Sequence, residues 1–222
     1  MNTVDKISDV ILMDDYPIVR LGLKELISDW KPCDIICCVN FAETKDAILN
    51  STHPPNLLVV GMHCDQVFAI EQLANIARER WRTHRLPLLV LSEMYERVYA
   101  PLCITAGASG FVNMRENPET ILSAIKVVML GGLFVSRPLA QHPIMQLVVG
   151  KGDFDVYNLF SSREREIAKL LVENKPLSDI SSLLNLSYTT VATYQSRILK
   201  KAGVATVSHL AKLALYGQRI GE

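Results

Sequence analysis

Residues 10–27 read Val10-Ile11-Leu12-Met13-Asp14-Asp15-Tyr16-Pro17-Ile18-Val19-Arg20-Leu21-Gly22-Leu23-Lys24-Glu25-Leu26-Ile27, and their pattern decides the architecture. Val10 to Met13 is a short apolar run that stops at two adjacent carboxylates. Pro17 then opens a helix, where its missing N–H costs nothing, and Val19, Leu23, Leu26 and Ile27 recur at helical spacing. One buried strand followed by one amphipathic helix is the repeating unit of a parallel sheet. The unit recurs along the chain. Ile35 to Val39, Leu57 to Val60, Leu86 to Leu91 and Gly110 to Val112 read as further strands. Phe41 to Leu49, Val67 to Arg80, Glu96 to Ala106 (weakened by Pro101) and Pro118 to Leu130 read as the helices between and after them. Uniformly apolar strands imply a sheet covered on both faces, hence an α/β doubly wound, flavodoxin-like domain over residues 1–132.

Gly131-Gly132 ends the last of those helices. Residues 133–158 mix Pro138, Pro143, Gly150 and Gly152 with the apolar segment Ile144 to Val149, which reads as a linker holding a short helix. From residue 159 to 222 the pattern is helical throughout, with helices expected at Arg163 to Glu173, Leu177 to Leu184, Thr189 to Ala202 and Val207 to Tyr216. Charge divides at the same place. The chain balances 23 Lys and Arg against 23 Asp and Glu, but residues 159–222 hold nine basic and five acidic residues, a net of +4, and the remainder carries −4. An acidic half joined to a basic half suits a regulator with one domain facing nucleic acid. The 49% hydrophobic content argues against long disorder, and no apolar run is long enough to span a bilayer. An N-terminus without a signal core and five cysteines without CxxC spacing point to the cytoplasm, with no membrane partner.

In the basic half, Ser178 to Leu184, the turn Asn185-Leu186-Ser187 and the start at Thr189-Thr190-Val191 form a helix, a tight turn and a second helix that Ser187 can cap. Val191, Gln195, Ile198 and Ala202 make one stripe along that second helix, while Thr189, Ala192, Thr193, Ser196, Arg197 and Lys200 occupy the other side. Short hydroxyl side chains at one end allow approach to base edges, and Arg197, Lys200 and Lys201 at the other can neutralise phosphates. An ordinary surface helix would show the same two faces, so the facial pattern alone does not decide between them.

The linear motif does. Ser162-Arg163-Glu164-Arg165-Glu166-Ile167, Ile180-Ser181-Ser182-Leu183-Leu184-Asn185-Leu186-Ser187 and the run Thr190 to Val204 closely resemble the LuxR-type helix-turn-helix of the NarL/FixJ response regulators, over about 60 residues with the landmarks in order. The resemblance implies an all-α four-helix domain that binds double-stranded DNA through Ser187, Thr189, Thr190, Ala192, Thr193, Tyr194, Ser196, Arg197, Lys200 and Lys201. Ala192 and Tyr194 stand where many members carry Lys and His, and in this they look more like the subgroup that includes the BvgA, EvgA and FimZ regulators. Losing a bidentate lysine contact would cost about 1–3 kcal/mol, so no operator sequence carries over. Leu210, Leu213 and Ala214 on the last helix resemble the family's dimerising helix, or serve simply as packing on the domain core.

Residues 9–131 resemble the receiver domain of two-component response regulators, through Asp14-Asp15, Pro55-Asn56, Ser92, the run Ala106 to Val112 and Pro118-Glu119. Phosphoryl transfer to such a domain needs a carboxylate nucleophile, a divalent cation on an acid pair and a lysine against the oxyanion. The acid pair is Asp14 and Asp15, and Ser92 supplies the hydroxyl. The nucleophile's position holds Gly61, which has no side chain, and the lysine's position holds Met114. Asp65 lies four residues past the strand end and Arg115 points away from Met114's side, so neither is read as a substitute. The expected pocket of Asp14, Asp15, Gly61, Ser92 and Met114 is degenerate. Its two acids are read as solvated or as capping the helix at Pro17, with no metal and no cofactor assigned. Cys33, Cys37 and Cys38 around the second strand, with Cys64 and His63 at the third, are read as buried core rather than a metal or redox centre, and Trp30 and Trp81 as packing residues. No set of residues forms a catalytic centre. The function expected is a transcription regulator that binds DNA without aspartyl phosphorylation, as a homodimer through its receiver-like domain. The alternative is a protein that forms mixed dimers with another response regulator and redirects it.

Overall fold

A computed structural model describes residues 7–63, 67–80, 86–151 and 155–219. The chain divides into two compact units, Met1–Arg137 and Pro138–Glu222. Cys64, Asp65, Trp81 and Gly152, singled out from the sequence, lie outside the described residues.

The first unit is a five-stranded parallel sheet in the order β2-β1-β3-β4-β5. Its strands are β1 (Ile7–Met13), β2 (Cys33–Cys38), β3 (Leu57–Met62), β4 (Leu88–Ser92) and β5 (Gly110–Asn113). Helices α1 (Pro17–Trp30) and α5 (Pro118–Met129) pack together on one face, and α2 (Phe41–Asn50), α3 (Val67–Arg80) and α4 (Glu96–Thr105) line the other. Strand residues alternate between the two faces. Val10, Leu12, Leu57, Val59, Leu89, Leu91 and Val112 meet Leu23 and Ile27 of α1 and Ala124, Ile125 and Val128 of α5 in one buried cluster. Ile11, Leu58, Val60, Val90 and Phe111 serve the opposite layer, equally buried. Burial of this continuous apolar set, at roughly 25 cal/mol per Å², supplies most of the force that holds strand to helix.

The chain does not leave the sheet at Gly132. Phe134 forms a parallel bridge with Gly110, accepting from the Phe111 N–H at 2.8 Å and donating to the Ser109 carbonyl at 3.1 Å. The Ser136 N–H then donates to Glu96 at the start of α4. Pro101 sits inside α4 and is buried with Val98, Tyr99, Ala100, Leu102 and Cys103 around it. Tertiary burial overrides the helix-breaking preference of proline there.

Helix α6 (Arg137–Ala140) spans the boundary. The second unit continues with α7 (Pro143–Lys151), a 3₁₀ turn (Val156–Leu159), α8 (Ser162–Val172), α9 (Leu177–Leu184), α10 (Tyr188–Ala202) and α11 (Val207–Arg219). The stretch read as a linker therefore carries more regular structure than the single short helix expected. Val156, Ile167, Ala168, Leu171, Ile180, Val191, Ile198, Ala202, Leu210 and Leu213 are its buried core.

Candidate functional site

In the second unit α9 ends at Asn185 in the left-handed conformation (φ 51°), and the Leu186 N–H closes on the Ser181 carbonyl at 2.9 Å. Asparagine tolerates this geometry better than other residues with a Cβ, so the chain reverses within three residues. Arg163 of α8 donates to the Leu184 carbonyl at 3.1 Å and pins the turn. Ser187 then caps α10. Its Oγ accepts the Thr190 N–H at 3.0 Å and lies 2.8 Å from the hydroxyls of Thr189 and Thr190. Val191, Ile198 and Ala202 anchor the helix on α8 and α9, leaving Thr189, Thr193, Ser196, Arg197 and Lys200 exposed. At its far end Gly203 takes φ 69°, and the N–H groups of Gly203 and Val204 cap the carbonyls of Lys200 and Leu199.

Lys201 has a different task. Its ammonium donates to Glu164 at 2.6 Å, and Glu164 is only 5% exposed. The same carboxylate closes a capping box with Ser161 at the start of α8. The hydrogen bond from Lys201 holds the Glu164 carboxyl below its ordinary range, against the upward pull of burial. Lys201 therefore ties α10 to α8, through a partner that the sequence reading did not include. A cavity of about 530 Å³ lined by His142, Pro143 and Leu159 opens beside Arg197, Lys200 and Lys201.

In the first unit the strand order reverses direction between β1 and β3, and the carboxyl ends of those strands frame a crevice. Asp14 leaves β1 there and is 1% exposed, which corrects the reading of a solvated acid; Asp15 is exposed. Asp14 does not cap α1 either, since Tyr16 is the cap residue and makes no side-chain cap bond. Instead Asp14 Oδ1 accepts the Tyr16 N–H at 2.7 Å and lies 2.9 Å from His63 Nε2, while the Asp14 carbonyl accepts from Arg20. Asp15 stands 3.2 Å from the same imidazole nitrogen, and the Tyr16 ring lies against the His63 ring with centroids 4.2 Å apart. The second oxygen of Asp14 leans over Gly61: a Cβ built on Gly61 would sit 1.8 Å from it. The space beside Gly61 is thus taken by Asp14.

Ser92 is fully buried, donates to the Met62 carbonyl and accepts from the Met94 N–H. Met114 packs against the α1/α5 core, whereas Arg115 is exposed and pairs with Glu93 at 3.6 Å. A receiver pocket implies a hard divalent ion on an all-oxygen acidic set. The residues here do not fit that ion, because Gly61 contributes no oxygen and an imidazole nitrogen stands between the two acids.

Residues 158–214 match the family of bacterial regulatory proteins of the LuxR type, also described as GerE. The second unit carries a LuxR-type helix-turn-helix domain. BvgA of Bordetella pertussis, a virulence-factor transcription regulator, is 29% identical to the chain over 212 residues, which cover 92% of this chain and 95% of BvgA. The response regulator UvrY of Escherichia coli is 24% identical over 208 residues, covering 93% of each. Among solved structures, the response regulator RcsB in complex with DNA superposes with a TM-score of 0.63 at 17% identity, covering 92% of this chain and 96% of that one. These likenesses agree with a flavodoxin-like receiver fold followed by a helical LuxR-type domain.

Within that domain the ten residues proposed from sequence fall in three sets. Ser187, Thr189, Thr193, Ser196, Arg197 and Lys200 are exposed, while Thr190, Ala192 and Tyr194 are half-buried and Lys201 is exposed but paired. Leu210, Leu213 and Ala214 are buried in the unit's own core, so packing accounts for them. The cysteine reading holds for Cys38 and Cys103, which are buried, and for Cys33, half-buried against the core, but Cys37 is exposed. Burial pushes the Cys38 thiol up, away from reactivity. Trp30 packs on the α1/α5 core with the Lys126 ammonium 5.2 Å from its ring. Of two further residues, one escaped the sequence reading and the other was set aside by it. Tyr188 is the exposed first residue of α10, a position that Ser187 as cap already implied. His63 lies two residues past Gly61, where only the fold brings it to Asp14.

Proposed function

We propose that this chain is a sequence-specific DNA-binding transcription regulator that works without aspartyl phosphorylation, in the cytoplasm, as a dimer joined through its receiver-like unit. The observation that carries phosphate independence is the approach of Asp14 to Gly61. The nucleophile position has no side chain, and its space is filled by a carboxylate fixed by Tyr16 and His63. An acyl phosphate requires a carboxylate at that place, and phosphorus approaching it would meet negative charge without the lysine that Met114 replaces. DNA binding is supported by the LuxR-type domain, by the hydroxyl and cationic face of α10, and by RcsB, whose structures include DNA complexes and dimers. A dimer would raise the effective concentration of the second recognition helix once the first is bound.

The test is fluorescence anisotropy of the full chain on fragments flanking its own gene. Binding that weakens steeply with salt and is unchanged by acetyl phosphate supports the proposal. An affinity that rises severalfold with acetyl phosphate, together with a retarded band in phosphate-affinity electrophoresis, overturns it. The strut role of Lys201, added to Ala192, removes two cations from the DNA face and favours a second reading, a regulator acting mainly through mixed dimers with another response regulator. Co-purification with such a regulator, alongside weak binding by the chain alone, would support that reading.

A further inference from the structure

We propose that Asp14, Asp15 and His63 form a site for a divalent transition ion of the zinc class, at the crevice between β1 and β3. The three side chains offer one ligand atom each within 4.8 Å of one another. His63 Nε2 lies 2.9 Å from Asp14 and 3.2 Å from Asp15. Ligands bonded to one ion at about 2.0–2.2 Å stand roughly 3.0–3.5 Å apart, so the three atoms need only small shifts to share it.

A second observation points to the same ligand. Asp14 Oδ2, the oxygen over Gly61 and not the Oδ1 beside His63, is buried and has no hydrogen-bond partner among the described residues, so a carboxylate bound through both oxygens would bring it to the same ion. A buried carboxylate oxygen without a partner is costly, and coordination of a cation is one of the few ways to satisfy it. Gly61 is what permits this arrangement, since any larger residue would drive the carboxylate out. The residue that removes the phosphoryl acceptor is therefore the residue that lets Asp14 turn inward toward β3.

The donor set selects the ion. Two carboxylates and one imidazole suit zinc and its first-row neighbours, whereas magnesium prefers an octahedron of oxygens. The orienting contacts that metal sites need are present. The Tyr16 N–H fixes Asp14, and the Tyr16 ring lies against the imidazole. Three protein ligands leave at least one position for water or an exchangeable donor, and Asp15 and part of His63 reach solvent. The site is thus a reversible clasp between β1 and β3 rather than a closed structural centre.

The experiment uses the full chain, stripped with a chelator and titrated with Zn²⁺ against a chromophoric competitor, with Co²⁺ as the spectroscopic probe. One high-affinity equivalent per chain is expected, with Co²⁺ bands of a mixed nitrogen–oxygen set. His63→Ala and Asp15→Asn should each weaken it by more than about 100-fold, beyond the 10–100-fold that outer-shell changes cost. Zinc at 100 times the wild-type dissociation constant should raise the melting temperature of the wild type by roughly 10 °C and that of His63→Ala by no more than about 2 °C. His63→Gln, checked by circular dichroism, guards against a folding defect in the alanine variant. Equal zinc affinity in wild type and His63→Gln would place the ion on other residues and overturn the proposal, as would no saturable binding at all. DNA titrations in chelator report on the function proposed above independently of this result.

Discussion

Substituting Gly61 by alanine asks whether the crevice is built around that missing side chain. The added Cβ would lie 1.8 Å from Asp14 Oδ2, 2.6 Å from Cγ and 3.0 Å from Cβ. To regain an ordinary contact of 3.4 Å the oxygen must retreat about 1.6 Å, more than a small adjustment of a fixed rotamer allows. Asp14 would then lose its Tyr16 N–H and its place beside His63. Hydrogen bonds to charged groups are each worth about 1.5–3 kcal/mol, and alanine returns about 0.5–1 kcal/mol over glycine in a strand. The net expectation is a loss of about 2–5 kcal/mol. Urea unfolding followed by tryptophan fluorescence isolates the right unit, because both tryptophans, Trp30 and Trp81, precede residue 137. The decisive measurement is the double-mutant cycle with Asp14→Ala. With the carboxylate gone, Gly61→Ala should cost under about 1 kcal/mol, giving a coupling of about 2 kcal/mol. An equal cost in both backgrounds would refute the reasoning.

Further outcomes follow from the second unit. Lys201→Met leaves the Glu164 carboxylate buried without its cation and should cost about 1–2 kcal/mol, discounted because Lys201 is half-exposed. Since the Glu164 carboxyl lies below its ordinary range in the fold, its contribution is present above about pH 4.5 and disappears as pH falls through the folded value. Melting curves at pH 7 and pH 3 should therefore differ less in Lys201→Met than in wild type. Ser187→Ala removes the α10 cap and should destabilise the unit by about 1 kcal/mol in thermal melts. Arg197→Ala and Lys200→Ala should each weaken DNA binding and reduce the slope of log affinity against log salt by about one, with melting unchanged.

Much of the fold was legible in the sequence because its strands are apolar on both faces and its helices on one. Val10 to Met13 and Leu57 to Val60 admit little but a buried parallel sheet. The helix-turn-helix was legible for a related reason: Ser187, Val191, Ile198 and Gly203 are local signals of a cap, a stripe and a stop. What escaped was set by pairs distant in sequence. Lys201 and Glu164 are 37 residues apart, His63 and Asp14 are 49 apart. No periodicity encodes such contacts. Asp14 reads as a surface acid until β3 is laid beside β1, and Phe134 reads as linker until β5 presents its edge.

That last pairing fixes where the receiver-like unit can be cut. A fragment ending at Gly132, where the sequence places the boundary, strips the Phe111 amide of its acceptor and the Ser109 carbonyl of a donor, and leaves Glu96 without the Ser136 N–H. A fragment carried through Arg137 keeps all three. The five residues after the double glycine behave as a sixth rung on the sheet, and expression trials of the isolated N-terminal half belong on the longer version.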